Sequence, residues 1–223
     1  MEKNYGYIRS YVIRGGKISY AQKRSYEKLF PVFGIMNNDP VNIASLFGNE
    51  NPLVVEIGFG MGRATIKIAE KNPGINYIGI EVHKPGIGRL LWDIERLGLN
   101  NIRIAEEDAK LFISERIMNK TVSAFHIFFP DPWPKKKHNK RRLLARPFTD
   151  LLSGKLLSGG YIYVISDWQD YAEEALKALT ETPGLKNKFK GYADKQEWRP
   201  ITEFEKKGIN KNHEIFEMIF TGE

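Results

Sequence analysis

Short apolar runs rich in β-branched residues alternate along this chain with longer stretches whose apolar positions recur every three to four residues. That alternation is the signature of βαβ units around a parallel sheet. Strands are predicted near Leu53 to Ile57, Tyr77 to Glu81, Ile102 to Ala105, Val122 to Phe129, Tyr161 to Ser166 and Glu214 to Phe220. Helical spacing falls between them, near Arg63 to Lys71, Pro85 to Leu97, Ala109 to Met118, Leu143 to Leu152 and Asp170 to Thr180. Pro73-Gly74, Gly98, Gly159-Gly160 and Pro183-Gly184 punctuate these elements, as residues that stop helices and make turns should. The fold class is α/β throughout.

Length and composition narrow the reading further. A chain of 223 residues with no Gly/Ser-rich or Pro-rich linker is expected to form one globular domain, residues 31–223, preceded by a basic N-terminal arm, residues 1–30. No apolar run approaches the roughly 18 to 20 residues of a membrane span, and the N-terminus lacks a secretory pattern, so the expected location is cytoplasmic. Cysteine is absent and the four histidines are scattered, which argues against disulfides and against a zinc site, so no metal is expected. The formal net charge of +7 is concentrated: Lys135 to Arg142 holds six cations and no acid. The first 28 residues carry seven cations against two anions, interleaved with Tyr5, Tyr7, Tyr11, Tyr20 and Tyr26. Either these are solvated basic loops or they meet a polyanion, because neutralised phosphates release counterions. The arm, with Arg9, Arg14, Lys17, Lys23 and Arg24, is expected to order only when RNA or cofactor binds.

The first strand runs into E-I-G-F-G-M-G, Glu56 to Gly62, where a doubly wound sheet binds its nucleotide-like ligand. Gly58 and Gly60 permit a tight turn and close approach of the backbone. A dinucleotide fingerprint fails, because Arg63 and Thr65 stand where its third glycine is needed. The string resembles instead the S-adenosylmethionine motif of Rossmann-like methyltransferases; a connector without ligand is the plain alternative. Glu81, closing the second strand, suits the vicinal hydroxyls of a ribose. Asp108 is placed by the same resemblance near the adenine amino group, against two alternatives: a helix cap, or Glu106 or Glu107 making that contact. Glu56 is assigned to holding the turn and facing the cationic methionine end of the cofactor.

The fourth strand ends in H-I-F-F-P-D-P-W-P-K-K-K-H-N-K-R-R-L. Pro130, Pro132 and Pro134 fix alternate φ angles and stiffen the loop that presents Asp131. P-D-P-W-P-K-K followed by a basic run resembles the bacterial-type tRNA (guanine-N7-)-methyltransferases. Three further segments resemble that family in the same order: R-S-Y-V-I-R-G-G-K-I-S-Y-A-Q (Arg9 to Gln22), S-D-W-Q-D-Y (Ser166 to Tyr171) and R-P-I-T-E-F-E-K-K-G (Arg199 to Gly208). The resemblance implies a Rossmann-like class I methyltransferase fold with a mostly parallel seven-stranded sheet, an antiparallel last strand and helices on both faces. It implies methylation of guanine 46 in the tRNA variable loop, with S-adenosyl-L-methionine as cofactor and S-adenosyl-L-homocysteine as second product. The expected partner is tRNA, with no membrane and no obligatory protein partner, the enzyme acting as monomer or homodimer.

Guanine N7 carries a lone pair and no hydrogen, so its methylation needs no general base. It needs positioning, and compensation for positive charge arriving on the ring. Asp131 is assigned that catalytic role, and the resemblance also places it beside the cofactor. Carried over likewise, Lys135, Asp167, Thr202, Glu203, Phe204 and Glu205 would contact the acceptor guanosine. Glu203 stands where the family usually has lysine, which puts a phosphate contact there in doubt, and Asp167 can alternatively cap the next helix. Lys136, Lys137, Lys140, Arg141 and Arg142 are expected to grip phosphates. Trp133 is expected either to stack on the displaced base or to pack internally. A rival class is a non-catalytic RNA-binding protein with a methyltransferase-like fold.

Overall fold

A computed structural model of the chain describes residues 8–12, 17–210 and 213–223; Tyr5, Tyr7 and Arg14 lie outside the described residues, as does the side chain of Glu203. Seven strands of the described residues form one sheet: β1 (Leu53–Ile57), β2 (Asn76–Ile80), β3 (Ile102–Ala105), β4 (Val122–Phe128), β5 (Leu156–Ser166), β6 (Leu185–Asn187) and β7 (Phe216–Gly222). Their spatial order is β3-β2-β1-β4-β5-β7-β6. The first five run parallel, and β7 lies antiparallel to both β5 and β6. Chain order reverses between the neighbours β1 and β4, so the ligand crevice of such a sheet opens above their C-terminal ends.

Among the described residues eight helices flank the sheet: α1 (Tyr20–Phe33), α2 (Ile43–Phe47), α3 (Arg63–Lys71), α4 (Lys84–Leu97), α5 (Ala109–Arg116), α6 (Phe148–Lys155), α7 (Gln169–Thr180) and α8 (Glu203–Ile209). Alternation along β1 explains the two layers. Leu53, Val55 and Ile57 face a core built with Phe112, Leu152 and Tyr171 of α5, α6 and α7. Val54 faces the opposite core, with Leu29, Ile66 and Leu90 of α1, α3 and α4.

Four expectations are corrected. Residues 20–30 of the expected arm are not an appendage, because α1 packs along α4. Its Ser19 and Gln22 form a reciprocal capping box, Tyr26 and Phe30 stack at 5.0 Å, and Leu29 is buried. The enabling residue is Gly88: a Cβ there would lie 2.3 Å from the Gln22 carbonyl oxygen. Gly88→Ala should therefore push α1 off α4 and cost about 1–3 kcal/mol in urea unfolding. A wild-type midpoint would refute that close approach.

The helix expected from Leu143 begins only at Phe148, since Pro147 and the residue before it resist helical geometry. The basic run just before forms a short 3₁₀ turn, Lys136–Arg141. β5 starts five residues early at Leu156, its pairing with β4 shifting register beside Gly159-Gly160. The last strand lies two residues later than expected, while α2, α8 and the three-residue β6 are too short for periodicity to show.

Candidate active site

Five of the acids expected at the cofactor or acceptor fall at or just beyond the C-terminal ends of the five parallel strands. Glu56 is in β1, Glu81 follows β2, Asp108 follows β3 and Asp131 follows β4; Asp167 comes directly after β5. The turn after β1 has φ of 73° at Gly58, 57° at Gly60 and 68° at Gly62, a conformation that disfavours side chains. An added Cβ at Gly58 or Gly60 would meet nothing within 4 Å. At Gly58 and Gly60 backbone conformation, rather than collision within the protein, therefore demands glycine, and the turn there faces open space where a ligand can approach closely.

Glu81 latches this turn to the second strand. Its carboxylate accepts from Gly60 N at 2.9 Å, Val82 N at 2.7 Å and His83 N at 3.0 Å. Three of about four acceptor positions are thus used, leaving room for one ribose hydroxyl rather than two. Burial raises its pKa above the ordinary carboxylate value, although the three backbone donors oppose that. Glu56 is 4% exposed. Burial pushes its carboxyl up to about 7, opposed by the Thr65 hydroxyl and assisted by the Glu81 charge. One buried and one half-buried acid behind an open glycine turn suit a cationic, ribose-bearing ligand, and such acceptors fit the ammonium, sulfonium and ribose of S-adenosylmethionine.

Asp108 is the N-cap of α5, accepting from Lys110 N at 2.8 Å and Leu111 N at 3.3 Å. Its alternatives are committed elsewhere: Glu106 accepts from the Tyr26 hydroxyl, and Glu107 pairs with Arg116 at 3.3 Å. Tyr11 comes close enough for the Asp108 charge, after burial itself, to help raise its pKa.

Asp131 is exposed at the sheet's rim. On either side of it, Phe129 and Trp133 take positive φ of 54° and 47°, uncommon for non-glycine residues and typical of constrained sites. Trp133 is held by its own loop and by the N-terminal segment rather than displayed. Its Nε1 donates to the Ser10 carbonyl at 3.1 Å, the Arg141 guanidinium lies 5.0 Å from the ring centre, and His138 packs edge-on. Lys135, Lys136, Lys137 and Lys140 are exposed and Arg141 is half-buried. Arg142 is the exception to the expected phosphate grip: its side chain is 1% exposed and paired with Asp170 and Glu174.

Asp167 does not cap α7, whose N-cap is Trp168; it pairs with His213 Nδ1 at 3.4 Å. An open cleft of about 440 Å³ lies against these two residues, bordered also by Trp168, Asp170, Glu173 and Glu214. Thr202 caps α8, in a capping box with Glu205. Phe204 is exposed and stacks on Phe129 at 6.4 Å, bringing the Thr202 to Glu205 segment to the Asp131 loop. Glu205 itself is buried against Arg199, so it supports this segment from within.

Sequence reasoning missed that support. Arg199 is fully buried and binds Glu205, Glu217 at 2.5 Å and the Tyr163 hydroxyl at 3.1 Å. Its available signal was Glu217, an acid in the middle of the apolar strand F-E-M-I-F. His126 was likewise passed over. It is buried on β4 beside Glu56, its Nε2 lies 3.0 Å from the Tyr161 hydroxyl, and burial drives its pKa down to about 3, leaving it neutral.

Known proteins match this arrangement. A family model described as "Putative methyltransferase" matches residues 50–218. The tRNA (guanine-N(7)-)-methyltransferase of Nitrosomonas eutropha is 45% identical over 96% of this chain and 96% of its own length. That of Methylobacillus flagellatus is 46% identical over 96% of this chain and 90% of its own. Among solved structures, the 16S rRNA methyltransferase KamB superposes with a TM-score of 0.62 at 15% identity, covering 86% of this chain and 98% of its own, which speaks to fold alone. The fold is that of a class I methyltransferase, and identity of this depth along nearly the whole chain places it more narrowly: the chain belongs to the tRNA (guanine-N(7)-)-methyltransferase family.

Proposed function

We propose that this chain transfers a methyl group from S-adenosyl-L-methionine to N7 of guanine 46 in the variable loop of tRNA, giving 7-methylguanosine and S-adenosyl-L-homocysteine. The observation that carries the reading is the pairing of two features on one crevice: the buried Glu56 and half-buried Glu81 behind an open glycine turn, and Asp131 on a proline-braced loop. Family membership supplies the acceptor class. The cofactor supplies an electrophilic methyl on a sulfonium. When bound, its cationic end would meet the Glu56 carboxylate, its ribose the remaining acceptor of Glu81, and its adenine would lie toward Asp108. Asp131 then offsets the charge that N7 acquires, and because N7 bears no proton, no side chain has to remove one.

Incubating the protein with unmodified tRNA and methyl-labelled donor, followed by nuclease digestion and mass spectrometry, is expected to give 7-methylguanosine at position 46. Label on any other atom or position would overturn the assignment. The exposed run provides the electrostatic hold. Neutralising Lys136, Lys137 and Lys140 together should weaken tRNA binding and reduce the slope of log affinity against log salt by about 2 to 3. An unchanged slope would move the RNA surface away from this loop.

Glu56 makes cofactor binding depend on pH. With its carboxyl at about 7 in the ligand-free protein, cation binding must expel a proton below that pH. Calorimetry should show affinity rising up to about tenfold per unit from pH 6 to 7 and levelling above, with proton release at pH 6. Glu56→Gln should bind more weakly and without this dependence. The same shift has an opposite consequence for folding: a carboxyl raised in the folded state adds stability at low pH that fades as pH climbs from about 4.5 through 7.

A further inference from the structure

Arg142 closes a run of cations, yet it shares none of their exposure. Its guanidinium is enclosed by protein. Nε donates to the Pro132 carbonyl at 2.9 Å, Nη2 reaches Asp170 Oδ2 at 2.5 Å and Nη1 lies 2.6 Å from Glu174 Oε2. The group also lies 5.3 Å from the Tyr171 ring centre. Burial alone would lower its pKa; the two carboxylates reverse this and raise it. A guanidinium so committed has no face for a phosphate. Its partners are informative by position. Pro132 immediately follows Asp131, and Asp170 and Glu174, four residues apart on α7, stand on the helix that begins just beyond Asp167.

We infer that Arg142, gripped by Asp170 and Glu174, clamps the Asp131 loop to α7 and acts as a positioning residue for methyl transfer instead of a contact to RNA. This rests on the proposed function for what is positioned, though not for the clamp itself. The loop needs such a hold, because Phe129 and Trp133 sit at positive φ, a conformation that a non-glycine backbone keeps only when its surroundings impose it. A second tie points the same way: Leu144 N donates to the Tyr171 hydroxyl at 3.1 Å, so residues 142–144 dock on α7 through two adjacent anchors. The clamp spans the two rim positions expected at the acceptor, Asp131 after β4 and Asp167 after β5. Loosening it would let the Asp131 carboxylate drift from the base, and displacement of about 1 Å can cost about a hundredfold in rate.

The sign of charge separates this role from a phosphate contact. The full chain carrying Asp170→Asn with Glu174→Gln gains two units of positive charge, so simple electrostatics predicts tighter tRNA binding and unimpaired turnover. The clamp predicts that kcat at saturating tRNA falls about tenfold in this double variant and about a hundredfold in Arg142→Met, with the salt slope of tRNA binding unchanged in the latter. Arg142→Lys should recover part of the loss, since lysine keeps the charge without the fork that holds three partners. Wild-type kcat in the double variant, or an Arg142→Met protein whose salt slope drops by about one at unaltered kcat, overturns the inference. Hydrogen exchange of residues 129–146 gives a readout independent of activity, in which both variants should exchange faster there than wild type. Faster exchange in a protein that never methylates guanine would remove the functional reading and keep the clamp. Unchanged exchange would remove the clamp whatever the activity. Should Arg142→Met fail to fold, the double variant decides alone, because its two sites are exposed surface carboxylates.

Discussion

Asp131→Ala is expected to lower kcat for tRNA methylation by about 10²–10³, the range associated with losing one preorganised electrostatic contact, while tRNA affinity stays within about threefold. The argument starts from the acceptor. N7 attacks with a lone pair it already has, so the enzyme's contribution lies in placement and in the field the base meets as it turns cationic. A carboxylate on a stiff loop offers that field without reorganising. Three prolines and the ties of Trp133 to Ser10 and Arg141 provide the stiffness. Affinity should survive because the exposed lysines that follow lie on a separate short turn. Asp131→Asn discriminates between two forms of the idea. Equal inactivity assigns the effect to charge, whereas substantial recovery assigns it to a hydrogen bond accepted from the guanine edge. Single-turnover assays at saturating tRNA make the measurement, and wild-type rates in Asp131→Ala would remove Asp131 from the chemistry.

The crevice was legible because its parts are local. A strand runs into the glycine turn E-I-G-F-G-M-G and a helix follows it directly, and β1, β3 and α3 fall where the spacing of apolar residues put them. Strand ends then carry their acids to one rim automatically. What escaped was pairwise and distant in sequence. Arg142 reads as one more cation in a basic run, and only the arrival of α7 from 28 residues downstream turns it inward. Tyr26 and Gln22 read as part of a basic arm, and only the bare backbone at Gly88 reveals that a helix lies on top of it. Glu205 reads as a site residue by its place in the motif, whereas its burial makes it the foundation beneath Thr202 and Phe204. Local pattern specifies elements and turns; which charged side chains face inward depends on the partners that the topology supplies.

The second large effect concerns that foundation. Arg199→Met should destabilise the protein by about 3–5 kcal/mol, the usual cost of stranding buried charges by removing one partner. Arg199 is fully buried, and the carboxylates it serves, Glu205 and Glu217, are 2% and 3% exposed. Burial would raise the Glu205 carboxyl, yet the Arg199 guanidinium more than offsets this and holds it below its ordinary value. For the wild type, this carboxyl therefore contributes stability above about pH 4.5 that is lost as pH falls through its lowered folded pKa. In Arg199→Met the sign inverts, because an unpaired buried acid titrates high and is relieved by protonation. Urea unfolding across pH should thus show the gap between wild type and variant widest near pH 7 and narrowing toward pH 5. Adding Glu205→Gln and Glu217→Gln to Arg199→Met should regain much of the loss by neutralising the stranded groups. A gap independent of pH, with no recovery in the triple variant, would mean that lost packing around the guanidinium, and not its charge, holds the Thr202 to Phe204 segment against β5 and β7.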